Sequence, residues 1–517
     1  MEVTTGFCVV GVVAAILVFY VWRVLDQLWL KPKKMEKCLR DQGLKGSPYK
    51  FFFGDLEEME QKRNEATSKP MSLSNDIADR VFPLVYKSVT TYGKICFTWN
   101  GANPLVHVAD PTLVREVFSN YRKFVRTKVA NPLRSLLALG LFNTEGDRWV
   151  QNRKIINPAF HLEKIKHMEP SIYVSCVEMM EKWEELVTRE NSSEVDVSPF
   201  FQSLAGDIIS RTAFGSSFQE GRKIFVLQKE LAELVAKIER SVYIPGSRFL
   251  PTKNNKRIKE IDREVKATIK GIIDKRMVAM KSGEASGDDL LGILLDSNQK
   301  EMKEHGNSKF GLTIDDVIEE CKLFYFAGQD TTGHTLVWTM ILLSQNNDWQ
   351  TRAREEVLHV FGEKRPDNSG LNHLKTMNMI LNEVLRLYPV VPTLARQMNE
   401  ETKLGNLTLP AGTFLELNAL LIHHDKDIWG EDANEFNPER FSEGVLKATK
   451  GQASYIPFGG GPRICIGQNF AMLEMKMALT MILQRFSFEL SPSYSHAPIN
   501  IITMQPQFGA HLILHKL

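Results

Sequence analysis

The apolar and polar positions divide the chain into an anchor-like start and a long mixed body. Residues 3–22, VTTGFCVVGVVAAILVFYVW, carry no charge and are apolar on every face. A helix of that length rises about 30 Å, which matches the hydrocarbon thickness of a bilayer. Tyr20 and Trp22 close the run, where amphipathic rings prefer the membrane interface. A cleaved leader would want a charged start, a shorter apolar core and a small-residue cleavage site, and the segment has none of these. Residues 23–55 then open with Arg23, Lys31, Lys33, Lys34, Lys37 and Arg40 against Asp26 and Glu36, whereas only Glu2 and the terminal amine precede the run. That asymmetry predicts a single-pass anchor with the remainder, 56–517, on the cytosolic side; 23–55 reads as a basic linker.

In the body the spacing of apolar residues predicts helices over about 160–190, 201–213, 222–241, 254–281, 313–344, 348–361 and 466–485. Short alternating runs at Ile95–Trp99 and Leu105–Ala109, separated by Asn100-Gly101-Ala102-Asn103, predict a hairpin. A second pair is expected at Lys403–Leu409 and Thr413–Leu417, turned at Pro410-Ala411-Gly412. Polar segments at 281–289 and 301–311 read as loops. The class is mainly α with a minor β portion, in one body without a dividing linker.

Composition changes this picture only by exclusion. At 43% hydrophobic and 24% charged residues, the chain is neither disordered nor a multi-span membrane protein. The 64 basic and 62 acidic residues leave +2, so no field points to nucleic acid. Six scattered cysteines without a Cys-x-x-Cys pair read as free thiols in a reducing compartment.

The sharpest chemical signal is Phe458-Gly459-Gly460-Gly461-Pro462-Arg463-Ile464-Cys465-Ile466-Gly467. It offers one thiol in a loop stripped of side chains, able to lie against something flat and bulky. The helix starting near Ile466 turns its N–H groups toward the sulfur and favours thiolate. Arg463 suits a carboxylate on the same ligand. Zinc would want more ligands; haem iron needs only the one, and accepts cysteinate. The plain alternative is a buried thiol beside a glycine turn.

Ala327-Gly328-Gln329-Asp330-Thr331-Thr332 sits in the middle of a long proline-free helix that Thr313 can cap. Gly328 leaves room for a large neighbour, and hydroxyls there can bond back to the preceding turn. On periodicity alone a solvent-facing polar stripe is equally open. Glu383 and Arg386 share a face of an apolar helix, which implies a buried pair in need of a further partner. His423-His424-Asp425 looks metal-like, but adjacent rings diverge, so a structural role is expected.

Together, Phe-x-x-Gly-x-Arg-x-Cys-x-Gly, Ala-Gly-x-Asp-Thr-Thr, Glu-x-x-Arg, Pro438-Glu439-Arg440-Phe441 and the pair Trp149 and Arg153 resemble the cytochrome P-450 superfamily. Leu39–Gly46, Ile155–His161 and Gln505–His511 make the resemblance closest to the plant clan numbered seventy-two, in its A subfamily. One departure is Gly459-Gly460, where that subfamily often carries Trp before the last glycine. The resemblance implies a triangular helical body with small sheets behind one membrane helix, and haem b held by Cys465. Phe458 belongs to the cofactor loop, and Arg463, Trp149, Arg153 and Arg396 are implied at the propionates; Arg396 rests only on its distance from Arg386. Asp330 and Thr331 are implied to relay protons during oxygen activation, while Glu383, Arg386 and Arg440 form a structural triad.

The implied reaction is monooxygenation of a small hydrophobic substrate, a terpenoid with triterpenoid favoured over an iridoid of the loganin type or a diterpenoid hormone. The lining is expected from Val125–Gly140, Val235–Phe249, Phe324–Thr331, Val390–Leu394 and Thr503–Phe508. NADPH and flavins would enter only through a partner NADPH–cytochrome P-450 reductase on the endoplasmic reticulum membrane, docking near Arg148, Lys154 or Lys450. A reductase-independent haem-thiolate rearrangement enzyme would typically lack the acid–alcohol pair, and a non-catalytic haem binder would consume no NADPH.

Overall fold

The uncharged N-terminal run is helical, Glu2–Leu25. After a π-helical turn at Asp26–Leu30 it continues as Lys31–Asp41. The computed structural model describes residues 2–126, 131–137, 139–187, 192–215, 218–240, 243–244, 246–282, 289–304 and 311–517. Residues 11–25 of the anchor-like helix are all exposed, as a lipid-facing helix would be. The 23–55 segment, expected as a linker, instead packs onto the body: Leu39 and Tyr49 are buried, and the Gln42 side-chain amide donates to the Thr408 carbonyl at 2.8 Å. The basic pattern there conceals an apolar stripe of Met35 and Leu39.

The hairpin Ile95–Asn100 with Asn103–Val108 forms as its alternation predicts, pairing Phe97 with Val106. It belongs to a six-stranded sheet ordered Lys45–Gly46, Ile95–Asn100, Asn103–Val108, Phe414–Leu417, Leu394–Met398 and Phe124–Val125. The second expected pair does not form. Gly405, at φ +56, turns Thr402–Leu404 back on Leu407–Leu409, so that run is a hairpin by itself. Phe414–Leu417 joins the large sheet between Asn103–Val108 and Leu394–Met398. A hairpin Pro498–Asn500 with Met504–Pro506 stands apart.

Helices fill the rest. The central helix Ile314–Gln345 runs 32 residues and starts at a capping box between Thr313 and Asp316. It packs against Ser198–Phe214, Lys253–Ser282, Lys375–Leu387 and Gln468–Arg485. The large neighbour that Gly328 admits is Ile209, whose Cδ1 lies 3.0 Å from where a Cβ would be; Gly333 does the same for Gln202. The spacing predicts most helices within a few residues. It misses Leu290–Glu304, part of which was expected as loop, because a polar face hides its role: Asn298 is buried and exchanges two hydrogen bonds with the Leu312 backbone.

Candidate active site

Two glycines of the cysteine loop are explained by one residue, Phe118. A Cβ at Gly460 would fall 2.6 Å from Cδ2 of Phe118, and one at Gly461 would fall 2.5 Å from the Phe118 carbonyl oxygen. Gly461 also holds φ at +64, where a side chain is disfavoured. The Phe118 ring, on Pro111–Ser119, stands where a residue larger than Gly460 would project, and Gly461 lies against the Phe118 backbone.

The loop closes through the Cys465 N–H, which donates to the Phe458 carbonyl at 2.9 Å. Phe458 acts here through its backbone. Helix Gln468–Arg485 follows, with Gly467 as its N-cap, and the N–H groups of Gly467 and Gln468 reach the Cys465 sulfur. Burial pushes the Cys465 thiol up, and those two N–H groups with Arg153 and Arg126 pull it back toward thiolate. The side chain is nonetheless exposed, as is Ala327 within the mostly buried central helix.

Above the loop, guanidiniums gather. Arg463 donates to the Thr144 carbonyl at 2.9 Å and to Glu145 at 2.7 Å, and lies 4.5 Å over the Trp149 ring. Arg396 is buried on the strand Leu394–Met398; burial and the Arg463 charge lower its pKa to about 10. A third member was not anticipated. Arg126 is half-buried with its Nε shielded from solvent, and repulsion from Arg396 and Arg463 adds to the desolvation that pushes its pKa well down. Its guanidinium sits 3.9 Å over the Phe142 ring, and its backbone N–H donates to Glu145. The Nε atoms of Arg126 and Arg463 are buried without a hydrogen-bond partner. Three cations thus face one carboxylate, an arrangement that needs further anions.

A porphyrin with two propionates and an iron needing one thiolate fits this donor set. Nothing in the local sequence of Arg126 signals its role. Arg153 keeps nearer the loop and donates to the Ile464 carbonyl at 3.1 Å. Trp149 serves as the platform under Arg463.

Thr331 bonds back to the Ala327 carbonyl at 2.7 Å, as hydroxyls in helices do. Asp330 instead accepts from the Thr503 hydroxyl at 2.5 Å. Farther off, Arg386 is fully buried and forks onto Glu383 with two bonds of 2.7 Å, and Arg440 reaches the same carboxylate at 3.4 Å. His423 and His424 are buried; desolvation lowers their pKa values to about 3 and about 4, and both rings bond backbone, so they are structural. Of the expected docking cations, Arg148 pairs with Asp316 and Lys154 with Glu301, inside the chain; Lys450 is exposed. Parts of the Val125–Gly140 and Val235–Phe249 linings lie outside the described residues.

A family model, Cytochrome P450, matches residues 77–511. The chain is 58% identical to "Cytochrome P450 CYP72A219" of Panax ginseng, over all of this chain and 99% of that one. It is 54% identical to the "7-deoxyloganic acid hydroxylase" of Catharanthus roseus over the full length of both. It is 51% identical to "Secologanin synthase 2" of the same plant, over 98% and 97%. The fold is also that of "Retinoic acid bound cyanobacterial CYP120A1", with a TM-score of 0.76 at 22% identity over 92% of this chain and 99% of that one. A model match across most of the length, full-length relatives above half identity and a cysteine loop under a cation cluster converge: this chain belongs to the cytochrome P450 family and is a monooxygenase of it.

Proposed function

We propose that the protein oxidises a hydrophobic terpenoid at the cytosolic face of the endoplasmic reticulum membrane, with electrons delivered from NADPH by a cytochrome P450 reductase. The observation that carries the cofactor assignment is the cluster of Arg126, Arg396 and Arg463 with two unpartnered buried Nε atoms, beside an exposed Cys465. Cys465 would ligate the iron, and the three arginines, with Trp149 supporting Arg463 and Arg153 beside the loop, would hold the propionates. When bound, thiolate-ligated haem supplies the activation of dioxygen that ends in one oxygen atom inserted into a C–H bond.

The chain's own part is electrostatic and positional. The Gly467 and Gln468 N–H groups stabilise negative charge on the sulfur. Asp330 and Thr331 would relay protons, the carboxylate taking up and releasing them and the hydroxyl passing them on. Phe324–Thr331, Val390–Leu394 and Thr503–Phe508 give a largely apolar lining, which suits a hydrophobic ligand and keeps water from the protons in transit.

Among terpenoids, the subfamily resemblance favours a triterpenoid. A loganin-type iridoid is the second reading, supported by the names of the two Catharanthus relatives. The test is incubation of membranes holding the protein and a reductase with a triterpenoid acid and, separately, with 7-deoxyloganic acid. The expected result is an NADPH-dependent product one oxygen atom heavier from the triterpenoid; product from 7-deoxyloganic acid alone would select the iridoid.

Anchoring has its own prediction. Deleting residues 1–22 should shift most of the protein from the membrane pellet to the soluble fraction, because among the described residues this is the one helix long and apolar enough to cross a membrane. Complete retention would assign anchorage to another surface.

A further inference from the structure

Asp330 and Thr331 are neighbours in sequence but bond in different directions. The Thr331 hydroxyl donates within the central helix, to Ala327. The Asp330 carboxylate is held from outside the helix, by Thr503 in the tip of the hairpin Pro498–Pro506. Thr503 is buried and lies 3.1 Å from Nδ1 of His334, itself buried one turn beyond Asp330.

The chemistry of the three groups fixes the order of donors. A carboxylate can only accept, so the Thr503 hydroxyl donates to Asp330 Oδ2. Its oxygen then accepts, and the donor is the Nδ1–H of a neutral His334. Burial favours the neutral ring, against the attraction of Asp330 3.7 Å away; Lys229 also disfavours charge there, and Gln505 bonds the ring.

The hairpin cannot withdraw easily. The Met504 N–H donates to the Val390 carbonyl at 2.9 Å, and the Trp338 indole N–H donates to the Met504 carbonyl at 3.1 Å. Thr503 is therefore presented to Asp330 by a strand pinned on both sides.

We propose that Thr503 is a positioning residue for the monooxygenase reaction: it holds the Asp330 carboxylate in place from the C-terminal hairpin, with His334 orienting the Thr503 hydroxyl. This rests on the reading of Asp330 as a proton-relaying carboxylate. It makes the pocket wall and the proton relay one hydrogen-bonded unit, although the two lie 173 residues apart in sequence.

The experiment uses the full-length haem-loaded protein with a reductase in phosphatidylcholine vesicles, without added terpenoid. Oxygen and NADPH consumption and released hydrogen peroxide are followed for wild type, Asp330→Asn, Thr503→Val, Thr503→Ser and His334→Gln. Thermal unfolding midpoints of Asp330→Asn, Thr503→Val and their double variant form a cycle that reads the bond independently of turnover. Each variant is first checked for its reduced carbon monoxide spectrum.

Thr503→Val is expected to reproduce the several-fold loss in oxygen consumption and the raised peroxide share of Asp330→Asn. Thr503→Ser should restore wild-type behaviour, His334→Gln should fall between, and the cycle should be non-additive. If Asp330→Asn matches wild type, the proton-relay reading of Asp330 falls and the proposal with it. If Asp330→Asn is impaired while Thr503→Val turns over as wild type, Thr503 is structural only and the proposal alone is overturned. An additive cycle overturns it as well. Should Thr503→Val fail to load haem, His334→Gln carries the same comparison: wild-type turnover rejects the proposal, and partial loss upholds it.

Discussion

Cys465→Ala is expected to give a folded protein whose reduced, carbon monoxide-treated spectrum lacks the strongly red-shifted Soret band of thiolate-ligated haem. The substitution removes one exposed sulfur and leaves the loop's backbone bond to Phe458 intact, so little packing is lost. What it removes is the exposed sulfur donor beside the cation cluster. Among the described residues no group of three or more His, Cys, Asp or Glu side chains could capture a metal instead. Haem that still enters, held through Arg126, Arg396 and Arg463, should show a band at an ordinary position, and turnover with a reductase should be lost. A red-shifted band that survives in Cys465→Ala would remove Cys465 from the site. The spectrum of wild type and variant, side by side with circular dichroism to verify folding, is sufficient to decide.

Arg386→Ala is expected to be more damaging, although Arg386 lies outside the cofactor site. Its side chain bonds Glu383 twice and also donates to the carbonyls of His423, Ala433 and Glu435. Neither Arg386 nor Glu383 has measurable exposure. Removing the arginine leaves Glu383 with only the long contact from Arg440 and the Asn437 N–H, and strips three carbonyls of a donor. Breaking a buried pair costs about 3–5 kcal/mol, a large part of the roughly 5–15 kcal/mol that holds a typical domain folded. Little haem-loaded protein should accumulate, and any that does should unfold far below wild type in a thermal scan. Arg386→Lys should rescue poorly, since an ammonium cannot fork onto Glu383 and reach the carbonyls together. An Arg386→Ala protein with wild-type haem content and melting temperature would show that the segment Trp429–Cys465 is held by other contacts.

These contrasts mark what the sequence carried. The cysteine loop, the Glu383–Arg386 pair and the Ile95–Val108 hairpin are contiguous or one turn apart, so residue type and spacing expose them. Arg126 is different: a lone arginine after Phe124-Val125 carries no signature, and only the fold of the large sheet brings it beside Arg396 and Arg463. Glu145 and Thr503 are likewise ordinary residues until a partner far along the chain reaches them. The misplaced hairpin at residues 403–417 failed for a local reason, since Gly405-Asn406 was a stronger turn than Pro410-Ala411-Gly412. The missed helix Leu290–Glu304 failed because buried polar groups such as Asn298 satisfy backbone rather than follow an apolar stripe.

The contact between Phe118 and Gly460 carries a lesson for exchanging sequence between relatives. The ring and the missing side chain are complementary halves of one volume, contributed by segments distant in the chain. Grafting an indole at position 460 alone would collide with the ring, and shrinking Phe118 alone would leave a hole behind the cysteine loop. The two positions are therefore a lock whose wards must be recut together, and a chimera joined between them fits only where the incoming half respects the same shared volume.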